Sequence, residues 1–136
     1  MLREKLEAAM AIVLLVDDSH LGRTLARLTL ARAGHRVIEA RDGREGLDRI
    51  LGERPEVIVA ASSLPVMDGL TMVREARSAG VDAPVVLVGT GAGWAKHADT
   101  GATRDVASIS RSVNPGELLG AVERALHHDQ PLPKAA

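Results

Sequence analysis

Asp17 and Asp18 close the apolar run Ala11-Ile-Val-Leu-Leu-Val16, and these adjacent carboxylates are the first residues in the chain that could do chemistry. Side by side they repel unless a cation or a basic side chain neutralises them. Carboxylate oxygens in a cleft suit Mg²⁺, which takes few protein ligands and keeps several waters. The plainer role is capping of the helix that follows. A second stretch, Glu56 to Gly69, reads as a buried strand, a loop carrying Ala61, Ser62 and Ser63, a Pro65 turn and a helix start at Asp68-Gly69. That loop holds no acid, His or Cys, and hydroxyls without a neighbouring base are usually turn residues. A third stretch, Gly89-Thr-Gly-Ala-Gly93, follows an apolar run as phosphate loops do. However, the last glycine of a G-x-G-x-x-G pattern falls on Trp94 and no Walker lysine follows. A flexible glycine loop is the main reading there, and a small-ligand site the lesser one. His20, His35, His97, His127 and His128 are scattered, with only the last two adjacent, and offer no metal site.

These residues must be positioned by short apolar runs alternating with helical patterns. Ala11–Val16 is a continuous apolar run of strand length, suited to burial on both faces. Arg36–Ala40, Val57–Ala60, Val85–Val88 and Val106–Ser110 make four more strands. Ser19 caps a helix whose stripe is Leu21, Leu25 and Leu28, with Gly34 stopping it. Asp42-Gly43 opens a second helix with Leu47, Ile50 and Leu51 on one face, stopping near Gly52 and Pro55. Asp68 caps a third, carrying Leu70, Val73 and Ala76, and a weak helix follows around Trp94 to Ala98. Asn114 caps the last, with Pro115 in its first turn and Leu118, Val122 and Leu126 as its stripe. Strands alternating with helices predict a parallel α/β sheet covered on both faces by right-handed crossovers. In such a sheet, sites lie at the carboxyl ends of the strands, where Asp17-Asp18 and Ala61-Ser62-Ser63 fall.

Composition bounds the function. The chain has 136 residues, 46% of them hydrophobic, which is one domain's worth of core. A net charge of −1 argues against nucleic acid as a partner. The absence of Cys excludes disulfides and thiolate chemistry. No apolar run has the ~20 residues a bilayer span needs, and no signal-peptide pattern opens the chain, so a cytoplasmic address is expected and membrane association is not. One Trp with no Phe or Tyr means an aliphatic core. Residues 1–10 read as a helical arm, 11–127 as the domain, and 128–136 as a tail or truncated linker.

The ordered pieces Val16-Asp17-Asp18-Ser19 with Arg23, Glu39-Ala40-Arg41-Asp42-Gly43-Arg44-Glu45-Gly46-Leu47, Leu64-Pro65-Val66-Met67-Asp68-Gly69-Leu70, Pro84–Val88 and Asn114-Pro115-Gly116-Glu117-Leu118 span nearly the whole domain. In that order they resemble the receiver domains of two-component response regulators. The resemblance implies a flavodoxin-like (βα)5 sandwich with strand order 2-1-3-4-5. It also implies a site where Mg²⁺ sits on the acidic pair and a phosphoacceptor aspartate, with a Lys and a Thr or Ser on the phosphoryl oxygens. The position of Ser63 would lend only its backbone carbonyl to the metal.

Carried over residue by residue, that machinery is altered. The phosphoacceptor position is Ala61, the Thr/Ser position Gly89 (Thr90 lies one place later), the Lys position Arg111, and the aromatic switch position Ser108; Ser112 replaces a turn proline. With Ala61 uncharged, Asp17 and Asp18 should hold Mg²⁺ weakly if at all, and Arg111 is placed to pair with one of them. The reading is a non-enzymatic pseudo-receiver that signals by protein contact without aspartyl phosphorylation and without a cofactor. Its alternatives are a conventional Mg²⁺-dependent phospho-receiver carrying Asp→Ala at residue 61, and a small-ligand sensor built on Gly89–Gly93. By resemblance, a protein partner, an output domain or a second copy would dock on the face of the fourth helix, fifth strand and fifth helix, with Trp94, Arg111 and Leu118 as interface candidates.

Overall fold

The computed structural model describes residues 11–89, 106–109 and 115–127. Five strands, β1 (Ile12–Val16), β2 (Arg36–Ala40), β3 (Val57–Ala61), β4 (Val85–Val88) and β5 (Val106–Ile109), pair in parallel in the order β2-β1-β3-β4-β5. Among the described residues four helices accompany them: α1 (His20–Arg32), α2 (Gly43–Glu53), α3 (Gly69–Ser78) and α4 (Pro115–Leu126). The flavodoxin-like order is the one expected.

Alternation along the central strands builds two cores. Leu14, Val16, Ile58, Ala60, Val85 and Leu87 face α2 and α3 through Leu47, Ile50, Met72 and Val73. Val13, Leu15, Val57, Val59 and Val86 face the other way, onto Leu30 of α1 and Leu118, Ala121 and Val122 of α4. The central strands are buried on both faces, which is why they read as unbroken apolar runs. The expected arm at 1–10, the helix at 94–98, the Asn114 cap and the tail at 128–136 lie outside the described residues.

Side-chain oxygens start three helices as expected. Ser19 Oγ accepts from the Gly22 N–H at 3.0 Å, Asp42 Oδ1 from Glu45 N–H at 2.8 Å, and Asp68 Oδ1 from Thr71 N–H at 2.8 Å. Glu45 reaches back to the Arg41 N–H at 2.7 Å, so the two ends of that first turn hold each other. Gly34, at φ 95°, terminates α1 in the left-handed region.

Two helix faces differ from expectation. Leu21, Leu25 and Leu28 are 66%, 57% and 45% exposed, so they are the outer stripe of α1 and not its core stripe. The arc turned to the sheet carries Gly22, Ala26 and Leu30 instead. Gly22 packs so closely that a Cβ there would meet Asp17 Oδ2 at 2.8 Å. Small residues bring the helix down onto β1, and bulky ones are left outside. On α2, Leu47 and Ile50 are buried while Leu51 is exposed; Gly43 and Gly46 complete the inner face, and Gly46 lies against Met72 and Val16. That helix runs through Gly52 and ends at Arg54, which adopts φ 50°.

His35 is the one buried polar side chain among the described residues, 5% exposed, with no hydrogen-bond partner for either ring nitrogen. Desolvation pushes its pKa below the ordinary 6.5, against a weaker upward pull from Glu123 and Glu56.

Two predictions follow from the packing. Adding a methyl at Gly43 would drive it into the Met67 carbonyl oxygen, whereas nothing lies within 4 Å of one added at Gly52. In urea melts, Gly43→Ala should therefore lose about 2–4 kcal/mol and Gly52→Ala should gain about 0.5–1 kcal/mol. Because the folded His35 has the lower pKa, the unfolded chain binds its proton first. This residue's contribution is then complete above pH 6.5 and declines as pH falls toward the folded value. Melts at a series of pH values should show that acid-side loss, and His35→Leu should flatten it.

Candidate functional site

The register places the site. Val16 pairs with Ala60, and Ala61 with Val88, so at the carboxyl edge Asp17 stands level with Ala61, and Ser62 with Gly89. Ala61 is the last residue of β3 and 2% exposed, whereas the sequence put it in the following loop. It follows Val57 and Val59 on the α1/α4 side of the sheet. There its methyl helps line a cleft of about 310 Å³ with Leu15, Asp17, Gly22, Leu25 and Leu118.

The two aspartates do different things. Asp17 is half-buried and its Oδ1 accepts the Ser19 N–H at 2.9 Å, so this carboxylate organises the entry to α1, close to the plainer capping role. Asp18 is exposed. Arg23, 11% exposed at its side chain, donates from Nη1 to the Asp17 carbonyl at 2.7 Å, and its Nε lies 3.4 Å from Glu39 Oε1. Arg27 Nε lies 3.4 Å from the other Glu39 oxygen. Glu39 thus holds two arginines and ties α1 to β2, and Arg23 steers the backbone of the acidic pair through a carbonyl. Among the described residues no three Asp, Glu or His side chains converge as a metal centre needs. Where the resemblance implied three carboxylates, this edge carries one engaged with Ser19, one exposed and the methyl of Ala61.

Gly89 has φ 142°, in the region that disfavours any side chain, and a Cβ there would collide with Ser62 Oγ. The backbone holds this arrangement from both sides: Ser62 N–H donates to the Val88 carbonyl at 3.0 Å, and Gly89 N–H to that of Ile109 at 3.0 Å. The space that a Thr or Ser side chain would need at residue 89 is therefore filled by Ser62. Beyond Ser63 the chain turns tightly, with Met67 N–H donating to the Pro65 carbonyl at 2.7 Å and Val66 forced to φ 69° and 82% exposed. A β-branched residue at positive φ is a strained conformation. The start of α2 supports this turn, because Gly43 abuts the Met67 carbonyl.

The site residues expected from sequence come together in part. Asp17, Ala61 and Gly89 do converge. Ser108 pairs with Leu87 in β5, but its side chain lies outside the described residues, as do Trp94, Thr90, Arg111 and Ser112. The expected Arg111 ion pair and the glycine loop beyond Gly89 fall there too. Leu118 is corrected: at 6% exposed it packs with Val13, Leu15 and Val59 in the core and has no surface to offer a partner. Two residues were missed. Ser62 read as a turn residue, and only the β3–β4 register reveals that it faces Gly89. Glu39 read as part of a strand, with no hint of its two arginines.

Three comparisons bear on this site. The family described as response regulator receiver domain matches residues 13–123. Response regulator MprA of Mycolicibacterium vanbaalenii is 40% identical over 76 residues, which is 56% of this chain and 33% of that regulator. The chain therefore matches about a third of the length of such regulators. The chemotaxis response regulator CheY4 of Vibrio cholerae superposes with a TM-score of 0.75 at 33% identity, covering 86% of this chain and 99% of that one. The receiver domain of a signal transduction histidine kinase from Syntrophus aciditrophicus gives 0.76 at 22% identity over 93% and 97%, a likeness of fold alone.

The Ser62–Gly89 contact can be tested directly. Gly89→Ala should cost about 1–3 kcal/mol in denaturant melts. Adding Ser62→Gly should return the steric part and leave the part due to positive φ, so partial rescue is the expected outcome.

Proposed function

The chain belongs to the receiver-domain family of response regulators, and from that premise we propose that it signals by protein–protein contact without passing through an aspartyl phosphate. The observation that carries this reading is the fit between Ser62 and Gly89 beside the methyl of Ala61. A single Asp→Ala exchange at residue 61 would account for a missing phosphoacceptor. It would not account for a neighbouring strand end whose backbone angle disfavours any side chain and whose space is taken by the Ser62 hydroxyl. Two independent parts of the switch are thus absent in a way that each other's surroundings accommodate.

The chemistry agrees. A methyl can neither attack a phosphoryl group nor ligate a metal. Without a third carboxylate the pull on a dication weakens, and Asp17 is left to its structural bond with Ser19. The domain in this reading is not an enzyme and needs no cofactor. It works in the cytoplasm by presenting a fixed surface to a protein partner or an output domain. Because Leu118 is buried, the docking face expected around β5 and the last helix would rest on other residues of that face, such as the exposed Glu117 and Arg124.

The test restores the missing acid. Ala61→Asp, checked for folding by circular dichroism, should remain unmodified by intact mass after incubation with acetyl phosphate and Mg²⁺. The parent chain should show no sub-millimolar Mg²⁺ binding by NMR shifts. Stoichiometric phosphorylation of the restored aspartate would instead identify an ordinary switch disabled at one residue.

A further inference from the structure

The cleft beside Ala61 is walled mainly by hydrocarbon. Leu15, Val59 and Ala61 line it from the sheet, Leu118 from α4, and Leu25 and Ala26 from α1. Small residues make the space. Gly22 and Ala26 bring no more than a hydrogen and a methyl from one side, and Ala61 a methyl from the other, so about 310 Å³ stays open between α1 and α4. That is the volume of about ten water molecules. It lies at the lower end of small-molecule pockets, which are apolar with a few polar groups that fix orientation.

Among the described residues the polar side chains lining this cleft are Asp17, Ser19 and Thr29. Ser19 Oγ accepts the Gly22 N–H at 3.0 Å and Thr29 Oγ1 donates to the Leu25 carbonyl at 3.0 Å, so both hydroxyls serve the backbone of α1. Asp17 spends Oδ1 on the Ser19 N–H. Its Oδ2 lies over Gly22, and among the described residues it accepts no hydrogen bond and joins no ion pair. No Lys or Arg is found among the described residues of the lining, and exposed Asp18 adds negative charge beside it. An aliphatic cleft with one available carboxylate oxygen selects a ligand of two parts, a compact apolar body and a cationic N–H donor, and it repels an anion. We propose that this cleft binds a small apolar amine, with its ammonium on Asp17 Oδ2 and its body against Leu15, Val59, Ala61 and Leu118. The ligand bridges α1 and α4 and so gives the domain a chemical input that needs no group at residue 61. This goes beyond signalling by contact and does not depend on it. A body of about ten non-hydrogen atoms in an open cleft corresponds to a dissociation constant of about 0.1–1 mM.

Amide NMR titration of the full chain with phenethylamine at neutral pH tests this, with phenethyl alcohol as the uncharged control and hydrocinnamate as the anionic one. The amine should give saturable shifts centred on the amides of Asp17, Gly22, Ala61 and Leu118. The alcohol should bind about fivefold more weakly, and the anion more weakly still. Asp17→Asn keeps a side-chain oxygen for the Ser19 N–H but removes the charge. It should bring the amine down to the level of the alcohol and leave the alcohol's own affinity as it was, a split that mere loss of structure would not produce. Ala61→Leu, which fills the cleft from the sheet side, should abolish binding of both; if circular dichroism shows that variant unfolded, the Asp17→Asn split decides alone. The proposal is overturned by the absence of saturable shifts up to about 10 mM amine, by equal binding of amine and alcohol, or by an Asp17→Asn variant that loses both alike. It is also overturned if the amine binds only after Arg111→Ala, because the chain's own guanidinium would then be the cation that Asp17 holds.

Discussion

The pairing of β3 with β1 on one side and β4 on the other brings Val16, Ala60 and Leu87 to one level and Ala61 and Val88 to the next, at the carboxyl edge of the sheet, and each group of the site leaves the sheet from there. That register is strongly specified. A one-residue slip of β3 would exchange Ile58 and Ala60, which pack beneath α2 and α3, for Val57 and Val59, which pack beneath α1 and α4. Both faces of the strand are occupied, so the exchange would disturb two cores at once. The geometry at Asp17, Ser62 and Gly89 is thus inherited from aliphatic packing that has no chemical role of its own.

The same packing supports the local devices that make the edge. Asp17 bonds to Ser19, Ser19 caps α1, and Arg23 on the first turn of α1 returns to the Asp17 carbonyl. These contacts form a short closed circuit in which a carboxylate is used for folding. On the other side of the sheet, Gly43 lets α2 approach the Pro65–Met67 turn closely enough to support Val66 in a conformation it would not hold alone. The frame around the site is rigid and specific although its central position is a methyl.

Much of this was legible in the residues. Central parallel strands read as unbroken Val, Ile, Leu and Ala runs because both faces are covered, and Ser19, Asp42 and Asp68 announced their helices through oxygens that cap N–H groups. Asp17, Ala61 and Gly89 could be placed at the carboxyl edge from the strand pattern and the resemblance, although Ala61 closes β3 and does not open the loop after it. The outward leucines of α1 could not. Helical spacing identifies a stripe but not the side it faces, and here the sheet takes the arc with Gly22 and Ala26 because close approach needs small side chains. Leu51 failed for a related reason, since it lies just past the edge of a buried arc, whereas the spacing put Leu118 rightly in the stripe of α4 and only its interface role did not hold. The Ser62–Gly89 contact was illegible because it joins residues far apart in the chain through a strand pairing that must be known first.

That contact also constrains the order in which this site could change. A side chain introduced at residue 89 while Ser62 is present meets its hydroxyl and a backbone angle that suits only glycine. The same side chain introduced after Ser62 has been reduced to glycine meets the angle alone. Substitutions at the two positions are therefore epistatic, with one order of events markedly less costly than the other. An acid placed at residue 61 would leave the Ser62–Gly89 contact beside it unchanged. A hydroxyl-bearing side chain at residue 89 is reached at lower cost once Ser62 has changed, and the pair acts as a ratchet.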